Sequence, residues 1–121
     1  MKDRKPYDLK ERTKQFALRA IRLAESLPDG RTAWVISKQL LRSATSVGAN
    51  YRAARRARSP ADFISKMTVV EEEIDESLYW MEILVDGGLV KRELLEPLMQ
   101  EANELAAIAV ASIKTARARK P

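Results

Sequence analysis

The chain has 121 residues, 22 of them Lys or Arg and 17 Asp or Glu, which gives a formal charge of +5 with 45% apolar and 32% charged side chains. That length and balance describe one soluble domain, residues 1–121, of a basic protein able to bury about two-thirds of its unfolded surface. It contains no His and no Cys. The common metal-ligand sets, Ser-His-Asp and Cys-His nucleophile systems and the usual general base are thereby excluded, so the chain is read as a non-enzyme without cofactor or metal.

No stretch is apolar enough to span a bilayer, so no membrane partner is expected. The charged run Met1 to Lys10 lacks the apolar centre of a signal peptide, and with the absence of cysteine this points to the cytoplasm.

Four helices are predicted in chain order, roughly 8–27, 32–57, 60–86 and 92–117, from apolar residues recurring every three or four positions. In the first, the apolar positions are Leu9, Phe16, Ala20, Leu23 and Leu27. Pro28-Asp29-Gly30 then marks a turn. The second carries Ala33, Ile36, Leu40, Ala44, Val47, Tyr51 and Ala54. Gly48 interrupts it within a run of small residues, Ser43 to Ala49. Such a run admits a close neighbour, either another helix of the bundle or a second subunit.

Ser59-Pro60-Ala61-Asp62 opens the third helix with an N-cap serine, proline at the first position and an acid at the third. Its apolar series runs Phe63, Met67, Val70, Ile74, Ser77, Met81 and Leu84, and Asp86-Gly87-Gly88 ends it. The fourth series is Leu95, Leu98, Ala102, Leu105, Ala109, Ser112 and Ala116. Pro97 lies inside this segment and favours a helix start near Glu96, with Arg92 to Leu95 as a separate turn. Short connections make successive helices antiparallel, so the expected fold is an all-α, antiparallel up-down four-helix bundle.

Charge is segregated along this frame. From Arg31 to Arg58 there are seven cations (Arg31, Lys38, Arg42, Arg52, Arg55, Arg56, Arg58) and no carboxylate; from Ser59 to Leu89 there are eight acids and one Lys. On a helical wheel Lys38, Arg42, Arg52 and Arg56 fall within about 40° of one line, opposite the apolar series. Arg55 and Arg58 lie near its C-terminal end, where they also complement the helix dipole. Glu72, Asp75, Glu76, Glu82 and Asp86 form a similar stripe on helix three.

Three readings of the basic stripe stay open: a solvated face, pairing with the acidic helix, or contact with DNA or RNA phosphates. Two stripes that both point away from their own core are expected to meet only between protomers. No aromatic residue interleaves with the cations, so nucleic-acid contact would be weakly sequence-selective. Glu71, Glu73, Glu76 and Trp80 flank the apolar series of helix three and are candidate oligomer-interface residues. The basic tail, Lys114 to Lys120, extends the positive surface or is simply solvated.

Gln39-Leu40-Leu41-Arg42-Ser43-Ala44 and Ser46-Val47-Gly48-Ala49-Asn50-Tyr51-Arg52, followed by Ser59 to Phe63 and by Glu76 to Leu84, carry a family resemblance. The chain resembles the four-helix bundle proteins encoded by intervening sequences in bacterial 23S ribosomal RNA genes. That resemblance implies a left-handed bundle assembled as a homo-pentamer. It also extends to the accessory variability determinant of diversity-generating retroelements, which implies a basic pentamer that binds nucleic acid and accompanies a reverse transcriptase. The chain departs from many such relatives at Ala53, where they carry a glutamate three residues after the asparagine. The resulting expectation is a non-enzymatic oligomeric binding or scaffold protein that contacts nucleic acid through helix two. The alternative is a structural homo-oligomer in which the basic and acidic faces join protomers and nucleic acid plays no part.

Overall fold

A computed structural model describes residues 8–119 as four helices: α1 (Leu9–Glu25), α2 (Arg31–Arg55), α3 (Pro60–Asp86) and α4 (Arg92–Arg119). The segment before Asp8 and the tail residue Lys120 lie outside the described residues. Each helix packs on its neighbours in sequence, and α1 closes on α4 through the smallest of the four interfaces. Among the described residues no diagonal pair approaches closely. This is an up-down bundle, and none of its described helices is long and apolar enough to cross a membrane.

Local chemistry sets the helix ends. The Ser59 hydroxyl accepts a hydrogen bond from the Asp62 amide at 3.1 Å, and the Asp62 carboxylate accepts one from the Arg58 amide at 3.1 Å. The first bond satisfies a donor that the first turn of α3 would otherwise leave open, and the second ties the residue before the N-cap to that turn. At the other end, Gly88 takes φ +78°, and the Leu89 amide donates to Leu84 O while the Gly88 amide donates to Val85 O. That is a Schellman closure, and the left-handed residue it needs is a glycine.

The predicted apolar series supplies the core. Phe16, Leu40, Val47, Met67, Ile74, Met81, Leu84, Leu95 and Leu105 are fully buried. The last turns of α4 differ from expectation: Ile113 is buried, while Ser112 and Ala116 stay partly exposed on an open groove. A bulky side chain one position away captures the core contact that a serine would fill poorly. The small-residue run of α2 packs within the bundle. A Cβ at Gly48 would lie 3.2 Å from Thr13 Oγ1 and 3.5 Å from Thr13 Cβ, so α1 approaches α2 here more closely than an alanine comfortably allows. On the side of α2 that packs on α3, Ser43 and Ser77 are completely buried, and the Ser77 hydroxyl lies 3.0 Å from that of Ser43.

Pro97 does not start α4. The helix runs unbroken from Arg92, and both Pro97 and Glu93 face solvent. Water can therefore reach the Glu93 carbonyl whose partner the proline ring removes, which lowers the cost of keeping proline in the second turn.

Candidate nucleic-acid interface

The outer face of α2 divides into two parts. In its N-terminal half, Lys38 Nζ sits 4.5 Å above the ring of Trp34, an exposed aromatic, in a cation–π contact. One turn further, Arg42 Nη2 reaches Glu76 Oε2 at 2.5 Å and Glu73 Oε1 at 3.3 Å, both on α3. The Glu76 hydrogen bond is the main reason the Arg42 guanidinium is held above its ordinary pKa. Glu76 shifts downward for the matching reason, first through Arg42 and then through the Trp80 indole N–H at 3.1 Å. Trp80 in turn meets Tyr79 edge to face at a centroid distance of 5.0 Å.

The basic and acidic helices therefore do meet inside one bundle, against the expectation that their stripes could pair only between protomers. Arg42 stands on the α3 side of the stripe, and Glu73 and Glu76 stand on the α2 side of their own helix. A guanidinium on a three-methylene stem is long enough to bridge the groove between two packed helices. Arg42 is a cation already matched by carboxylates of its own chain.

The C-terminal half of α2 is different. Arg52, Arg55 and Arg56 are all exposed, and with Lys10 of α1 they line one depression of about 270 Å³. Among the described residues none of these four makes an ion pair, nor does the Arg58 side chain. Half-buried Tyr51 feels both Arg55 and Asp8: burial and the Asp8 charge raise its hydroxyl pKa, the Arg55 charge lowers it, and the net shift is upward. Convergence of four cations from two helices raises the local positive potential above that of any single helix face. Such a depression can hold a phosphate or another oxyanion by charge-assisted hydrogen bonds. Lys10 is the member that sequence reasoning missed, because it is 42 residues from Arg52 and enters only through the antiparallel packing of α1 on α2.

The four interface candidates on α3 fall on two sides of that helix. Glu73, Glu76 and Trp80 face α2. Glu71 lines a shallow depression shared with α4 residues Ala102, Asn103 and Ala106. Exposed Glu72 and Asp75 line that same depression, while Glu82 and Asp86 are exposed further along α3, as is Tyr79.

A crystal structure of a protein of unknown function from the S23 ribosomal protein family of Bacteroides thetaiotaomicron VPI-5482 superposes on this chain with a TM-score of 0.82 and 37% sequence identity, covering 88% of this chain and 98% of that one. A search of curated proteins gives no match. Residues 5–111, spanning all but the end of the bundle, match the family described as 23S rRNA-intervening sequence protein. The chain belongs to the 23S rRNA-intervening sequence protein family.

Proposed function

We propose that the protein is a non-enzymatic, oligomeric nucleic-acid-binding module that grips a phosphate backbone with Lys10, Arg52, Arg55 and Arg56. One observation carries the proposal: four cations from two helices share a depression in which no described carboxylate pairs with them. Arg58 extends the surface toward the α2–α3 turn. Lys38 stays on the same face with a subsidiary role, and Arg42 is withdrawn from it by Glu73 and Glu76. Pentameric assembly would repeat the patch around a ring and multiply a modest affinity per subunit. A place beside a reverse transcriptase is the finer form of this proposal, and its support is the resemblance of the Gln39 to Arg52 segment.

The alternative, a purely structural homo-oligomer, has its own supporting observation. Tyr79 is 52% exposed within the unpaired acids of α3, an aromatic placement suited to a subunit contact. Simultaneous Arg52→Glu, Arg55→Glu and Arg56→Glu substitutions separate the two readings. Under the first, duplex DNA binding by fluorescence anisotropy is lost while sedimentation velocity shows the same assembly. Under the second, the assembly dissociates. If binding persists and the assembly is intact, both readings fail.

A further inference from the structure

At the end of the bundle beyond the start of α1, a groove of about 770 Å³ opens between α2, α3 and α4. Its floor is Ala54, Ala57, Phe63, Ile108, Ala111 and Ala116. The charged residues lining it are Arg55 and Arg119, with no carboxylate among them. We propose that this groove docks an acidic amphipathic helix of a partner protein, laying its apolar face on the alanine floor and its carboxylates against the arginine rim.

Helix register explains why a seat exists there. Arg12 of α1 meets Glu101 and Glu104 of α4 at 2.7 and 2.8 Å. The two helices are antiparallel, so α1, which begins at Leu9, runs alongside α4 only to about the level of Leu105. From Ile108 to Arg119 the fourth helix continues about 18 Å, or three turns, past that point. Three of the six α4 residues that line the groove are small, Ala111, Ser112 and Ala116, which lets another helix backbone approach closely.

The chemistry of the lining selects the occupant. Phe63 is its one aromatic, so successive bases find no row of stacking platforms. Arg55 and Arg119 supply the positive rim, one from α2 and one from the end of α4. The chain's own residues 1–7 carry Lys2, Arg4 and Lys5 against Asp3, the same sign as the rim. An apolar floor with a cationic border matches the helix-in-groove mode with an acidic ligand. Arg55 borders both this groove and the cation depression, so the test must keep the two apart.

The probe is a fluorescein-labelled 14-residue peptide with Leu and Ala at i, i+3, i+4 and i+7 and Glu elsewhere, beside a twin with Lys in place of Glu. Titrated with the full chain, the acidic peptide binds with a Kd on the order of 10 µM, and the Lys twin does not bind. Ala111→Trp, which fills the groove from an exposed position, and Arg119→Glu each weaken binding about tenfold. Thermal melts by circular dichroism confirm that both variants keep the wild-type fold. Arg52→Glu lowers duplex DNA affinity and leaves peptide affinity unchanged. The proposal is overturned by failure of the acidic peptide to bind, or by equal affinity of Ala111→Trp and wild type. Loss of duplex DNA binding in Ala111→Trp would assign the groove to the nucleic-acid surface. Displacement of the probe by a synthetic peptide of residues 1–7 would assign it to the chain's own N-terminus. Either outcome also overturns the proposal.

Discussion

Gly48 gives the sharpest test of the packing, because two opposing effects of known size meet at one atom. Replacing glycine by alanine within a helix gains about 1 kcal/mol in intrinsic propensity. The added methyl would stand 3.2 Å from Thr13 Oγ1, tighter than ordinary contact. Thr13 cannot swing away freely, since its hydroxyl donates to the Leu9 carbonyl at 2.6 Å and its side chain is buried. We therefore expect Gly48→Ala to change stability by less than about 0.5 kcal/mol, the steric cost cancelling most of the helix gain. On a Thr13→Ala background the clashing oxygen is gone, and the remaining neighbours, Thr13 Cβ and C at 3.5 and 3.6 Å, are at normal distances. There Gly48→Ala should stabilise by the full ~1 kcal/mol, about 3–6 °C in Tm for a domain of this size. Urea unfolding of the four proteins, at one fixed protomer concentration because assembly shifts apparent stability, gives the coupling energy directly. Equal stabilisation by Gly48→Ala in both backgrounds would refute the reasoning, since α1 would then not press on this glycine.

The buried hydroxyl pair should be strongly coupled: Ser43→Ala alone strands part of the Ser77 hydrogen-bonding capacity and costs about 1 kcal/mol, while Ser43→Ala with Ser77→Ala costs little more, as denaturant midpoints will show. Ser59→Ala removes the acceptor for the Asp62 amide and should cost about 1 kcal/mol, with Ser59→Asp retaining most of it. Acid should destabilise the fold in a defined direction. The Asp62 carboxyl is held low, first by Lys66 and then by the Arg58 amide, and Glu76 is held low by Arg42 and Trp80. Because these groups release their protons more readily when folded, the unfolded chain binds more protons across the window. Their stabilisation is present above the ordinary carboxylate pKa of about 4 and is lost as pH falls through the folded values. Glu76→Gln should flatten the acid limb of a stability-against-pH curve, and a variant curve that overlays the wild type would remove Glu76 from the explanation.

The bundle was legible because each segment repeats its apolar residues at helical spacing and the punctuation is unambiguous. The cap of α3 and its Gly88 closure sit where Ser59-Pro60 and Gly87-Gly88 mark them. Pro97 misled because a helix tolerates proline in its second turn when the orphaned carbonyl faces water. The site was half legible. A wheel finds which cations share a face of α2, and it cannot find a carboxylate on the neighbouring helix, so Arg42 looked uncompensated until packing placed Glu73 and Glu76 beside it. For the same reason Lys10 and the groove floored by Ala54 and Ala111 were invisible: both are made by interhelix register, which a single-helix projection does not contain.

The salt dependence of duplex binding tests the central claim most directly. If Lys10, Arg52, Arg55 and Arg56 neutralise about four phosphates per subunit, the slope of log affinity against log salt is about −3.6, and affinity falls roughly 150-fold between about 50 and 200 mM salt. Arg52→Glu, Arg55→Glu and Arg56→Glu together should reduce the magnitude of the slope by about 3, while Arg42→Ala, whose cation is engaged by its own chain, leaves it within about 0.5. A wild-type slope that the triple reversal does not change, or one that Arg42→Ala lowers as much as the loss of Arg52 does, would contradict the account.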